Sequence, residues 1–171
     1  MIIYQYVYFY CSEHYKMIKR EGGIDIEKKH EANFECWFHK RLYNRRCSAD
    51  NGSKKLYDLA CGPDFHVRSY RGYIMNGVRY HTKEYAETCT TQNSGIFVLD
   101  DNGNSITEYC GELKNILKLH YPGQNLMYLF DCDWWDTRSA TGIRMEQGFT
   151  IVNTSHKWCE FDPFILACQA S

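Results

Sequence analysis

The chain has 171 residues, a net charge of −1, and 44% hydrophobic, 24% charged and 16% aromatic residues. This composition is that of a globular protein, and it excludes extensive disorder over most of a chain whose length suits one domain with an appendage. Residues 1–99 carry 15 Lys and Arg against 11 Asp and Glu, whereas residues 100–171 carry 5 against 10, so no strongly basic region stands out and a solvated surface is the simpler interpretation.

The first 29 residues are ambiguous. The run IIYQYVYFY has the composition of a strand, but KMIKREGG resembles the end of a helix that stops at glycine. The segment also lacks the basic start and cleavage site of a secretory signal and is too short to span a bilayer. The nine cysteines are therefore predicted to be reduced thiols in an intracellular, nuclear or cytosolic protein.

Two helices are predicted next. In HEANFECWFHKRLYNRR, Phe34, Trp37, Phe38 and Leu42 fall at helical spacing. After the CSADNG break, Ser53 is a candidate N-cap for a short helix through KKLYDLAC, which Gly62 and Pro63 would end. The domain division predicted from these signals is an N-terminal linker or helical segment over 1–52 and a β-rich domain over 53–171.

After Pro63 the pattern changes to strands. Asn76-Gly77 supplies the two positive-φ residues of a type I′ turn, so residues near 67–75 are predicted to pair with 78–84 in a hairpin. From Val67 onward the sequence predicts five to seven short strands, with a bulge near Gly111 or a helical turn as alternatives for the run ITEYCGELKNILKLHY. The predicted fold class is α+β: an N-terminal helical segment followed by a mainly antiparallel β-sheet or small β-barrel.

Five stretches carry a family resemblance, in an order kept from Ser53 to Ala170: SKKLYDLACGPDFHVRSYRGYIMNGVRYHTKEY, TTQNSGIFV, LFDCDWWDT, GFTIVN and DPFILACQA. They resemble a plant domain of unknown function, DUF4216, found in transposase-associated proteins encoded by CACTA (En/Spm-type) transposons. Residues 6–42 are similar to the linker that precedes this domain. The resemblance implies a transposon-associated, nuclear protein and no catalytic motif.

Two departures from the family pattern bear on interpretation. Family members continue beyond the position of Ala170 with another apolar strand, so a domain truncated at its C-terminus, from a fragment or a decayed copy, is expected. The family also often has Lys where this chain has Asp131. That difference weakens any metal site built on Asp131.

The stretch LFDCDWWDT places three carboxylates beside two tryptophans. A two-residue period puts Phe130, Cys132 and Trp134 on one face of a strand and Asp131 and Asp133 on the other. The first face is predicted to be buried and the two aspartates largely exposed. A nuclease-type metal site would instead need carboxylates converging from different strands, which Glu112 or Glu146 would have to complete.

The sequence contains no recognisable motif for a zinc site, a cysteine nucleophile or a phosphate-binding loop. Cys36-x-x-His39 and His156-x-x-Cys159 lie too far apart for a structural zinc site, and Cys36 is predicted to be a small buried side chain on a helix. No cysteine–histidine signature and no phosphate-binding glycine loop is present. The sequence therefore predicts no metal, no cofactor, no small-molecule substrate and no enzymatic activity.

Two kinds of binding module remain. One contacts DNA or RNA through hairpin cations interleaved with Tyr70, Tyr73 and Tyr80, although core tyrosines and ordinary solvated cations are the simpler interpretation. The candidate cations are Arg68, Arg71, Arg79, His81 and Lys83. The other is a small-barrel protein-interaction module, similar to chromatin readers that hold methylated lysine in aromatic cages. Its partner would be a transposase or chromatin protein, and neither kind predicts contact with a membrane.

Overall fold

The computed structural model describes residues 2–22, 24–43, 51–101, 106–137, 142–158 and 163–170. The chain forms two compact units. The first comprises residues 1–65 and 120–125, and the second comprises residues 66–119 and 126–171.

The first unit is helical, and its opening helix resolves the ambiguity of the N-terminal run. Helix α1 spans Ile2–Arg20, so the strand-like composition of IIYQYVYFY does not form a strand. Tyr10, His14 and Ile18 are all buried and lie four residues apart, which places them on one helical face. Packing of this face outweighs the β propensity of the tyrosines and valine.

Two further helices complete that unit. Helix α2 spans Ile26–Tyr43 and confirms the predicted helix, and α3 spans Asn51–Ala60. The helices share an apolar core of Tyr10, Phe38, Leu42, Leu56 and Ala60. Ser53 lies inside α3 and does not cap it, whereas Gly62 follows the helix with φ of +79° as expected of a terminating glycine.

The second unit is β-rich. Its elements in chain order are β1 Arg68–Tyr70, β2 Gly72–Met75, β3 Val78–His81, α4 Lys83–Ala86, β4 Gly95–Asp101, β5 Ile106–Tyr121, β6 Asn125–Trp135, β7 Ile143–Glu146, β8 Phe149–Val152 and β9 Phe164–Leu166. The main sheet has the order β1-β5-β6-β9, and β4 also pairs with β5. The α+β class is confirmed, but the described strands form an open sheet with two separate hairpins and no closed barrel. They number nine, which exceeds the five to seven predicted.

The Asn-Gly hairpin is confirmed. Met75 pairs with Val78, and Asn76 and Gly77 have φ of 53° and 81°, as a type I′ turn requires. The hairpin is shorter than predicted because β1 pairs with β5 instead. Thr82 follows strand β3 and is the N-cap of α4, where its side chain accepts a hydrogen bond from the backbone N–H of Tyr85.

Strand β5 is the centre of the second unit. It runs without a helical turn, pairing with β4 over 106–112 and with β1 over 116–118. Leu113 and Ile116 are both fully buried although they lie three residues apart, so the two-residue alternation shifts between the two pairing regions. They belong to a core that also contains Tyr80, Ile96, Val98, Phe130, Cys132, Trp134, Ala167 and Ala170.

No helix within the described ranges is long and apolar enough to cross a bilayer. The seven cysteines described in the structure are all free thiols. Cys36 is exposed on α2, so the prediction that it is a buried side chain is wrong. Cys159, the second half of a weak zinc pattern, lies outside the described residues.

Candidate functional site

The five candidate cations fall into two groups. Three are exposed: Arg68 on β1, Arg71 at the link between β1 and β2, and Arg79 on β3. His81 is buried, with its ring edge-on to Tyr85 at a centroid distance of 5.0 Å and its Nδ1 without a hydrogen-bond partner among the described residues. A buried ring cannot reach a phosphate group at the surface, so His81 contributes no open cation.

Lys83 is exposed but already paired. Its Nζ donates a hydrogen bond to the Glu112 carboxylate at 2.7 Å, and this contact raises the pKa of Lys83. In contrast, no described carboxylate forms an ion pair with Arg68, Arg71 or Arg79. The three arginines are therefore the uncompensated cations of the predicted set.

A fourth cation, Lys118, joins them through the sheet register. Arg68 lies directly opposite Lys118 in the antiparallel β1–β5 pair. Directly opposed residues have Cβ atoms about 4.5–5.5 Å apart, and like charges at that distance destabilise a sheet. Sequence reasoning missed Lys118 because its position opposite Arg68 depends on long-range pairing, for which the local sequence carries no signal.

Aromatic rings flank this like-charge pair. The Lys118 ammonium lies 5.9 Å from the ring centroid of Tyr128, within cation–π range. Tyr128 stacks on Tyr73 with centroids 4.2 Å apart, and burial together with Tyr128 raises the pKa of Tyr73. Tyr80 is buried against Phe130, so one predicted stacking ring is part of the core.

The opening residues of LFDCDWWDT form the strand that was predicted. Phe130, Cys132 and Trp134 are buried on β6 with 0%, 2% and 5% of their surfaces exposed. Burial, followed by the charges of Asp131 and Asp133, raises the pKa of Cys132 to about 12. This thiol therefore stays protonated and is no nucleophile.

The prediction that Asp131 and Asp133 are largely exposed is wrong. Their side chains are only 14% and 24% exposed. Lys114 lies between them, with its Nζ 3.6 Å from Asp131 and 3.4 Å from Asp133, and Lys157 donates to Asp133 at 3.0 Å. Neighbouring lysines thus cover the carboxylates that the two-residue period directs away from the core.

The ionisation of Asp133 follows from these contacts. Partial burial alone would raise the pKa of Asp133, but the hydrogen bond from Lys157 and the charges of Lys114 and Lys157 hold it below the ordinary value. Asp131 also accepts a hydrogen bond from Asn115 Nδ2 at 2.8 Å. Asp133, held in ion pairs of this kind, is a stable anion, unlike the proton-sharing carboxylates of a general acid–base pair.

A metal centre finds no support in the described geometry. Within the ranges that the structure covers, no three His, Cys, Asp or Glu side chains form a group that could hold a metal ion. Glu112, the candidate third carboxylate, is bound by Lys83. The expected absence of metal stays a prediction, which elemental analysis of the purified protein tests.

Comparison with known proteins gives one family match. Residues 117–171 match the family model of a domain of unknown function, DUF4216. The match covers the end of β5 and all of β6 to β9, including LFDCDWWDT. No curated protein and no solved structure matches the chain.

Proposed function

We propose that the β-rich unit is a non-catalytic binding module that contacts nucleic acid through Arg68, Arg71, Arg79 and Lys118. The observation that carries the proposal is the like-charge pair Arg68 and Lys118, which lie opposite each other and form no ion pair with a described carboxylate. Proteins commonly neutralise neighbouring cations with acidic side chains, as this unit does at Lys114. A phosphate group bound between Arg68 and Lys118 would turn a repulsive pair into two attractive contacts.

The net charge of the second unit determines how strongly it attracts nucleic acid over long distances. Residues 66–119 and 126–171 contain nine Lys and Arg against twelve Asp and Glu, a net charge of −3. Long-range attraction to nucleic acid is therefore weak, and affinity has to come from the local arginines and Lys118. Binding through about three or four phosphates gives a salt dependence with a slope of about −3 on logarithmic axes.

The biological setting of the proposal rests on the family resemblance. CACTA transposon-encoded proteins of plants carry the domain beside transposase-related segments. A nuclear accessory module that helps a transposase or a chromatin protein hold DNA or RNA fits both that setting and the exposed arginines. The acidic face around LFDCDWWDT has no part in nucleic-acid contact, because its carboxylates would repel phosphate.

The test is an anisotropy titration of a fluorescein-labelled oligonucleotide, single-stranded and duplex, with the full chain. Arg68→Ala should weaken binding about fivefold to tenfold at low salt and reduce the salt slope by about one unit. Arg144→Ala is the matched control, because Arg144 is exposed in the same unit but paired with Glu146 at 3.3 Å. Equal losses in both variants, or no binding by the wild-type chain at low salt, would refute the proposed interface.

A further inference from the structure

A groove of about 490 Å³ lies in the second unit, and none of the three arginines lines it. Strands β4, β5 and β8 and the end of β6 enclose it. Its lining residues are Ser94, Gly95, Ile96, Phe97, Cys110, Gly111, Glu112, Trp135, Thr150, Val152 and Thr154. The volume suits one long side chain together with the backbone that carries it.

The sheet register explains why this groove has an aromatic floor. Phe97 lies opposite Cys110, and Gly95 lies opposite Glu112, so these four residues share one face of the β4–β5 pair. Trp135 follows Trp134 on β6 and therefore faces away from the buried core. Because Gly95 has no side chain, the space beside Phe97 and Trp135 stays open.

One charged group lies in the groove, and it is a carboxylate. Glu112 accepts hydrogen bonds from Lys83 at 2.7 Å and Ser94 at 3.4 Å. Lys83 is 52% exposed, so its ammonium group can leave Glu112 and turn into solvent. Glu108, four residues before Glu112 on the same face of β5, is exposed and adds a second negative charge near the groove. The groove thus combines aromatic rings with anionic oxygen.

We infer that this groove binds the lysine side chain of an extended peptide segment in a partner protein. An ammonium group is attracted both by the face of an indole ring and by a carboxylate, and Trp135 and Glu112 supply the two together. Glu112 already holds an ammonium group, that of Lys83, so the site is chemically suited to a second one. The four-carbon stem of a lysine would lie along Phe97 and Val152.

Strand β4 supports the extended form of the ligand. Among the described strands β4 pairs only with β5, and β4 forms one boundary of the groove. Its second edge therefore offers backbone N–H and C=O groups that an extended peptide can pair with, as in β-augmentation. Backbone pairing would supply affinity, and the groove would select the lysine side chain.

The experiment compares three fluorescent peptides, Gly-Thr-Lys-Thr-Val-Gly and its versions with acetyllysine or alanine at the lysine position. The wild-type chain should bind the lysine peptide at least about fivefold more tightly than either of the other two. This comparison needs no protein variant, so misfolding cannot disguise the result. Equal binding of all three peptides, or no binding of the lysine peptide, would overturn the inference.

Two variants sharpen the assignment. Glu112→Gln should weaken binding of the lysine peptide about fivefold, whereas Glu146→Gln, an exposed acid on β7, should leave it unchanged. Lys83→Ala should strengthen binding, because it removes the competitor for Glu112. Weaker binding in Lys83→Ala would contradict the site. Oligonucleotide binding depends on other residues, so the two proposals can fail separately.

Discussion

The two faces of β6 differ although their residues alternate along one strand. Phe130, Cys132 and Trp134 are buried in the core, whereas Asp131 and Asp133 lie under a cover of lysines on the opposite face. The apolar face supplies stability through its burial. The polar face contributes less to stability, and its carboxylates are held in ion pairs with lysines.

The same contrast separates the cations of the second unit. Lys83, Lys114 and Lys157 each lie against a carboxylate and so contribute to the folded structure. Arg68 and Arg79 have no such partner among the described residues. A cation paired with a carboxylate has a partner within the protein. An unpaired cation that lies opposite another cation instead indicates a binding site for an anionic ligand.

The largest expected effect is on the apolar face. Trp134→Ala should lower the free energy of unfolding by about 3–5 kcal/mol, because it leaves a cavity beside Gly111 and Tyr109. Trp135→Ala makes the same chemical change on the other face of the strand and should cost less than about 2 kcal/mol. Urea denaturation measures both, and equal losses would show that the two faces do not differ in this way.

The second prediction concerns the packing around Trp134 on the apolar face of β6. A Cβ atom at Gly111 would lie 2.7 Å from Trp134 Cε3 and 2.9 Å from the Asp133 carbonyl oxygen. Gly111→Ala should therefore destabilise the fold by about 1–3 kcal/mol. Combined with Trp134→Ala, the cost should shrink, since the ring that meets the methyl group is gone. Purely additive losses in the double variant would contradict the contact.

The smallest effect is on the polar face and depends on pH. The pKa of Asp133 is below its ordinary value of 3.8, so its contribution to stability is present above about pH 3.8 and is lost as the pH falls through the folded-state pKa. Asp133→Asn should cost about 1 kcal/mol at neutral pH, and this cost should shrink as the pH falls below about 3.8. Urea midpoints across this range measure it, and a loss that persists in acid would exclude the ion pairs as its cause.

Local signals predicted much of this architecture. Asn76-Gly77 predicted the hairpin because the type I′ turn depends on those two residues alone. The two-residue period of the strand predicted that Phe130, Cys132 and Trp134 lie in the core. Both features depend on neighbours within a few residues. They could be predicted because no distant strand is needed to specify them.

Features that depend on distant partners could not be predicted. The cover over Asp131 and Asp133 comes from Lys114 and Lys157, and the like-charge pair at Arg68 comes from Lys118 on another strand. The helical form of residues 2–20 likewise depends on α2 and α3, whose apolar residues pack on Tyr10. Composition alone favoured a strand there.

If nucleic acid contacts the unpaired cations and not the lysine-covered carboxylates, the contact should be visible residue by residue. Backbone amide shifts of the ¹⁵N-labelled chain, followed while an oligonucleotide is added at low salt, test this most directly. We expect the largest changes at Arg68, Arg71, Arg79 and Lys118, with the amide shift of Asp131 nearly unchanged. Changes centred on Asp131, or spread evenly over both faces of the sheet, would contradict it.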